Sequence, residues 1–360
     1  MIVYARVSDD TRDIRAGESL DWETLGRYLR GRLRTARELV GLDVSAPLRV
    51  SQFPGGHSNL TYLIQFGSAE LVLRRPPLGT VPPKAHDMRR EFTWLQAIHP
   101  VYPLAPEPYL LCEDPDVIGA PFYVMERRRG LVVGHEEPKE IAGNKTARLR
   151  VSQAIVDALA ELHSIDARSP AFAPLGKPSG FVARQVAGWT ERWERSKTSD
   201  VPELDAIAVW LRARIPADAA RPAIVHGDFK LDNVMIDPLD VGRLAAVFDW
   251  EMCALGDPMI DVGIVLAYWT AAPGDDALGT VTRGQGWFSR EEIIARYMLR
   301  SGRDVGSIRF YEAFARFKIA VVIQQIYYRY VNGQTRDERF AAFGDRVTAL
   351  ARQAVQIAGD

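Results

Sequence analysis

The sequence predicts an α+β chain, with a small antiparallel sheet crossed by one helix, followed by a larger and mainly helical part. Three observations carry this. Short segments rich in β-branched and aromatic residues, separated by Gly-Gly or Gly-Ser turns, crowd residues 48–75. Beyond Gly130, apolar residues recur in long runs at helical spacing. A strand pair near 234–236 and 245–248 interrupts those helices.

In chain order, the first element is a helix over 20–33, where Trp22, Leu25, Tyr28, Leu29 and Leu33 share a face and Ser19 is placed to cap it. Strands follow at 48–53, 60–66 and 70–75, then a loop with Pro76, Pro77, Pro82 and Pro83. A helix over 86–98 and strands near 109–112 and 122–125 complete the first part. Helices over 147–163, 182–197 and 204–215 open the second. Ser289-Arg-Glu-Glu292 reads as a capping box, and a longer helix from about Ser307 stops at Asn332-Gly333. The change of texture divides the chain into residues 1–127 and 128–360, hinged near 126–130.

Composition narrows the function classes. A formal net charge of −1 supplies no field that would draw the chain to nucleic acid or an anionic membrane. Cys112 and Cys253 lack CxxC partners, which argues against a zinc site or disulfide framework and for a reduced, cytoplasmic protein. The N-terminal stretch is charged throughout, unlike a signal peptide. No segment reaches the roughly 18 apolar residues of a spanning helix. Oligomeric state is not legible.

The chemistry concentrates in His226-Gly-Asp-Phe-Lys-Leu-Asp-Asn233, followed by a hairpin and Phe248-Asp-Trp-Glu251. Phosphoryl transfer requires a carboxylate to orient the attacking hydroxyl and accept its proton, oxygen ligands for Mg²⁺, and positive charge against the transferred group. Asp228 offers the first, Asn233 and Asp249 the second, and Lys230 a share of the third. Strand pairing brings residues 233 and 249 together at one end of the hairpin. An N-cap Asp and a turn Asn at a helix–strand junction are the bland alternative. Upstream, Phe53-Pro-Gly-Gly-His-Ser-Asn-Leu60 lies between two strands. There Gly55, Gly56, Ser58 and Asn59 can lay backbone N–H groups over a triphosphate.

These motifs resemble the aminoglycoside phosphotransferase and choline kinase group of the protein-kinase-like superfamily. The likeness rests on H-x-D-x-K-x-x-N, the later F-D-W, and Gly256-Asp-Pro-Met-Ile-Asp261. It implies a two-lobed kinase-like fold that uses ATP or GTP, with Asp228 as base, Asn233 and Asp249 on Mg²⁺, and Asp261 bracing the catalytic loop through backbone N–H groups. The strand Leu71-Val-Leu-Arg-Arg75 lies where the family has its phosphate-binding lysine. Strand alternation selects Arg74 for that role, with Glu91 as its partner. The hinge strand would place Met125, Glu126 and Arg127 against the adenine. V-L-R-R-P-P, G-G-H-S-N-L-T-Y and G-A-P-F-Y-V-M-E are similar to the kinase-like domain associated with acyl-CoA dehydrogenases, a resemblance that covers roughly residues 20 to 340.

Residues 281–360 hold 12 Arg and 1 Lys against 4 Glu and 4 Asp, a net of +5. That excess disfavours a polycationic aminoglycoside and favours a hydroxy acid or its CoA thioester. The expectation is therefore a Mg-dependent small-molecule kinase. A nucleotide-binding pseudokinase and an aminoglycoside-modifying kinase are the alternatives. Trp189, Trp193, Tyr268 and Trp269 are candidates to line the acceptor pocket, His163 and His226 read as structural, and His86 and His99 have no evident partner.

Overall fold

The computed structural model describes residues 10–33, 43–54, 59–78, 86–134, 136–269, 278, 281–335 and 337–359. Gly55, Gly56, His57 and Ser58, and with them most of the glycine-rich loop, lie outside the described residues, as do Pro82 and Pro83. The chain forms two compact units, Met1–Arg129 and Gly130–Asp360.

The first unit is built on a five-stranded antiparallel sheet in the order β1-β2-β3-β5-β4. Its strands are β1 (Leu48–Gln52), β2 (Leu60–Phe66), β3 (Ala69–Arg75), β4 (Pro108–Cys112) and β5 (Phe122–Glu126). Period-two alternation sorts their side chains. Tyr62, Ile64 and Phe66, Leu71 and Leu73, and Phe122 and Val124 pack with Leu25, Leu29 and Leu33 of helix α1 (Trp22–Leu33) in one core. Helix α2 (Met88–Ile98) lies against the other face, where Phe92 meets the ring of Tyr123.

Two helix starts differ from the sequence expectation. Asp21 takes the capping position of α1, accepting the Thr24 N–H at 2.9 Å, while Ser19 accepts from the Trp22 indole at 3.1 Å. A carboxylate one turn before Leu25 satisfies the open N–H groups that Ser19 is too far back to reach. Helix α2 begins at Met88 because the Asp87 side chain caps it.

In the second unit, a short helix α3 (Pro115–Ile118) of the first having intervened, α4 (Lys145–Ser164), α5 (Phe181–Ser196) and α6 (Pro202–Ala213) precede the strands. β6 (Ala223–Val225) pairs with β9 (Ala254–Gly256), and β7 (Val234–Ile236) pairs with β8 (Leu244–Val247), each antiparallel. Helices α7 (Met259–Trp269), α8 (Arg290–Ser301), α9 (Ile308–Val331) and α10 (Phe343–Gly359) follow. The capping box opens α8 as expected, Ser289 and Glu292 bonding reciprocally. α9 buries residues on all its faces between Ile308 and Val321, packed against α5, α7 and α10. Gly263 allows the closest approach: a Cβ there would stand 2.5 Å from the Tyr311 carbonyl oxygen. Among the described residues, no helix is long and apolar enough to cross a membrane.

Candidate active site

The loop between β6 and β7 is held from below by one carboxylate. Asp261, in the first turn of α7 and fully buried, accepts the His226 N–H at 2.6 Å and the Gly227 N–H at 2.7 Å. A second layer supports it. His163 of α4 bonds Asp261 through Nε2 at 3.1 Å and accepts from the Tyr297 hydroxyl of α8 at Nδ1, 2.8 Å away. Burial pushes His163 below its ordinary pKa despite the neighbouring carboxylate, so the ring is neutral. It donates from Nε2 and accepts at Nδ1. Asp261 itself, against the effect of burial, is held below the usual carboxylate range by the bond from His163.

His226 ties the two ends of the site together. Its Nδ1 accepts the Asp228 N–H at 3.2 Å, and its Nε2 donates to the Phe248 carbonyl at 2.8 Å. Burial depresses this imidazole as well. The bonding fixes it as a neutral brace, the structural role expected from sequence.

Above this floor stand the half-buried polar groups. Asn233 ends a 3₁₀ turn (Leu231–Asn233) that immediately precedes β7. Its amide nitrogen donates to the Asp228 backbone carbonyl at 2.8 Å and to carboxylate Oδ2 at 2.9 Å. The Lys230 ammonium lies 3.3 Å from the same Oδ2 and 3.6 Å from Asp232, and 4.9 Å above the Tyr268 ring. Burial works against this ammonium, but Tyr268, Asp228 and Asp232 outweigh it and raise its pKa. Pairing across the hairpin gives Phe248 N–H to Asn233 carbonyl at 2.8 Å, which places Asp249 beside Asn233. Asp249 adopts φ +65°, a left-handed conformation. A non-glycine residue held there carries a small backbone strain.

With its nitrogen committed to Asp228, the Asn233 amide offers its oxygen, and Asp249 next to it offers a carboxylate. Mg²⁺ takes one or two such oxygens and fills its octahedron with phosphate oxygens and water. The pair fits that demand. Among the described residues no group of three or more His, Cys, Asp or Glu is arranged to hold a metal ion.

The four aromatic candidates have distinct partners. Trp193 bonds Asp205 and Trp269 bonds the Phe288 carbonyl, both from within the core. Cations lie over three of the candidates: Lys230 over Tyr268, Lys197 over Trp193 at 5.0 Å, and Arg192 and Lys318 over the buried Trp189 at 4.7 and 5.4 Å. Lys318 was not singled out from sequence. It is 4% exposed and donates to the Gly227 carbonyl.

In the first unit, Arg74 Nε lies 3.2 Å from the buried Glu91 carboxylate, the partnership expected from strand alternation. Arg75, on the opposite face, bonds the Ile118 carbonyl at 2.7 Å. Asn59 is buried, and its Oδ1 meets His86 Nδ1 at 2.9 Å, a partner the sequence did not reveal for that histidine. His99 bonds the Ala105 carbonyl at 2.8 Å. Met125 is buried in β5, and the Glu126 N–H is taken by the Glu107 carbonyl at 2.8 Å. Arg127 pairs with Asp10 at 2.5 Å and stacks over Phe53 at 4.9 Å.

Comparison with known proteins bears on this arrangement. Residues 49–296 match the model of the phosphotransferase enzyme family. Acyl-CoA dehydrogenase family member 11 of Mus musculus is 33% identical over 357 residues, which make up 98% of this chain but 45% of that protein. The chain thus spans less than half the length of that curated relative. A Ralstonia eutropha protein named after the aminoglycoside phosphotransferases has a crystal structure 30% identical, with a TM-score of 0.78, covering 95% of this chain and 99% of its own. The GDP and kanamycin complex of APH(2'')-IIIa, 13% identical, shares the fold with a TM-score of 0.60 over 91% of this chain and 98% of that one.

Proposed function

Because the chain belongs to the phosphotransferase enzyme family, we propose that it moves the γ-phosphoryl group of ATP or GTP, with Mg²⁺, to the hydroxyl of a small acceptor. The observation that carries this is the cluster on the 226–249 segment: the Asp228 carboxylate gripped by Asn233 and Lys230, with Asp249 beside Asn233. Asp228 orients the acceptor hydroxyl and takes its proton as the new oxygen–phosphorus bond forms and the bond from the γ-phosphorus to the departing nucleoside diphosphate breaks. Asn233 and Asp249 would hold Mg²⁺, which neutralises charge on the phosphates. Lys230, whose raised pKa keeps it charged, faces the transferred group. The first unit would take the nucleotide, Arg74 meeting its phosphates and Met125, Glu126 and Arg127 lining its base. The setting is cytoplasmic.

For the acceptor we favour a hydroxy acid or hydroxyacyl-CoA. Lys230 lies over the Tyr268 ring and 3.3 Å from Asp228, and Arg192 lies over Trp189, cations that suit a negatively charged molecule. The likeness to a relative named for acyl-CoA dehydrogenation agrees. A protein acceptor fits less well, since α7 begins at Met259 and leaves no long loop after Asp249. The replacement of lysine by Arg74 favours a second reading, a nucleotide-binding regulatory module. One assay separates them: nucleotide consumption over hydroxy acids, hydroxyacyl-CoAs and aminoglycosides, with Asp228→Asn as the blank. Consumption with a hydroxyacyl-CoA, absent in the blank, supports the kinase. Binding of nucleotide without consumption supports the regulatory module, and turnover confined to aminoglycosides overturns the acceptor class.

A further inference from the structure

One buried charge of the second unit has no part in the chemistry above. Lys318 sits midway along α9 between buried Phe317 and Ile319, and it is 4% exposed. Taking an ammonium out of water is costly, and a methionine would fill the same volume without that cost. Burial pushes its pKa below the ordinary lysine range, and what the amine gains is a hydrogen bond to the Gly227 carbonyl and the face of Trp189 at 5.4 Å.

The position of that bond is what gives it a role. The Gly227 carbonyl and the Asp228 N–H belong to one peptide, and a peptide is planar. Lys318 holds the carbonyl end, while His226 Nδ1 holds the N–H end at 3.2 Å. The preceding peptide is fixed by Asp261 through the Gly227 N–H at 2.7 Å. Between the two, Gly227 has φ +84°, and a Cβ there would stand 2.8 Å from both Cβ and the carbonyl oxygen of Met252. Both ends of the peptide that leads into Asp228 are thus pinned, one from α9 and one from His226, the residue after β6.

We infer that Lys318 is a positioning residue for phosphoryl transfer: it clamps the Gly227–Asp228 peptide and so aims the Asp228 carboxylate. The inference rests on the reading of Asp228 as base. Lys318 does not itself touch the reacting atoms; it acts through the backbone.

The test uses the full chain with Mg²⁺, ATP or GTP, 3-hydroxybutyryl-CoA as the acceptor probe, and water as a parallel acceptor. Lys318→Met, of similar volume but without a donor, should lower kcat about 10²-fold, the penalty of a misplaced catalytic group, and leave the nucleotide KM within about threefold. Lys318→Gln, one atom shorter but still an N–H donor, should recover about tenfold of that loss. Thermal unfolding checks that each variant is folded. Native kcat in folded Lys318→Met, a loss confined to KM, or failure of both variants to fold would each overturn the inference. Asp228→Asn separates the two claims. If it is inactive while Lys318→Met behaves as native, only the Lys318 role falls. If Asp228→Asn turns over at the native rate, the base assignment falls and this inference with it.

Discussion

Asn233 grips Asp228 twice, its amide nitrogen donating to the backbone carbonyl at 2.8 Å and to the carboxylate at 2.9 Å. The side chain proposed to hold Mg²⁺ therefore also orients the proposed base. A single neutralising change at Asp228 should separate chemistry from binding. Asp228→Asn is expected to reduce kcat by about 10³–10⁴ while nucleotide affinity and unfolding midpoint stay near native. Steady-state kinetics beside a nucleotide-binding titration would check this, and an equal loss in both would contradict it.

Asp249 pays for its position with a left-handed backbone. Glycine adopts that conformation freely, so Asp249→Gly should keep the native stability or exceed it by up to about 1 kcal/mol. The same change removes a proposed metal ligand. Turnover should then need Mg²⁺ at concentrations at least about tenfold higher. Denaturant unfolding and a Mg²⁺ titration of turnover measure the two halves, and a less stable variant with native Mg²⁺ dependence would refute both.

Arg74 and Glu91 face each other at 3.2 Å with side chains 12% and 2% exposed. Removing one partner strands the other charge in the interior. Glu91→Leu alone should cost about 3–5 kcal/mol, and the double change Arg74→Met with Glu91→Leu should cost clearly less. A double-mutant cycle by chemical denaturation provides the comparison, and additive losses would show the pair to be energetically idle.

His163 and His226 are fully buried, and burial holds both below their ordinary pKa. Their unfolded-state value lies near 6.5. Above it neither state binds a proton, and stability is complete. As pH falls below about 6.5 the unfolded chain takes up protons that the folded chain refuses, so stability declines by up to about 1.4 kcal/mol per pH unit for each histidine. Asp261, held below the carboxylate range, adds a further loss only below about pH 4. Thermal midpoints measured from pH 7.5 to 4.5 should fall along this course, and His163→Gln should flatten the upper part by about half. A flat profile would mean that the imidazoles take up protons in the folded chain as readily as in the unfolded one.

Much of the fold was legible because its signals are local. The turn at Gly67, the alternation in β2 and β3, and the capping box of α8 each lie within a few neighbouring residues. Arg74 could be chosen over Arg75 because strand geometry sends adjacent side chains to opposite faces. The motif from His226 to Asn233 pointed to a candidate site because its residues are consecutive. What escaped depends on distance along the chain. β6 and β9 are three residues each, too short to show alternation, and find one another only through the fold. Tyr297 and His163 meet across 134 positions. Lys318 is hidden differently. In a helix with a polar face it would be read as a solvated cation, but α9 is buried on every side from Phe310 to Val321, so a charge in that stretch does not reach water.

The supports of the 226–228 segment come from four helices, α4, α7, α8 and α9, all within one compact unit. A loop tethered this way loses its conformational freedom once, when the chain folds, and does not lose it again with each turnover. Differences in rate between one acceptor and another should then reflect how each molecule seats against a fixed carboxylate, because the carboxylate has no slack with which to follow a poorly placed hydroxyl.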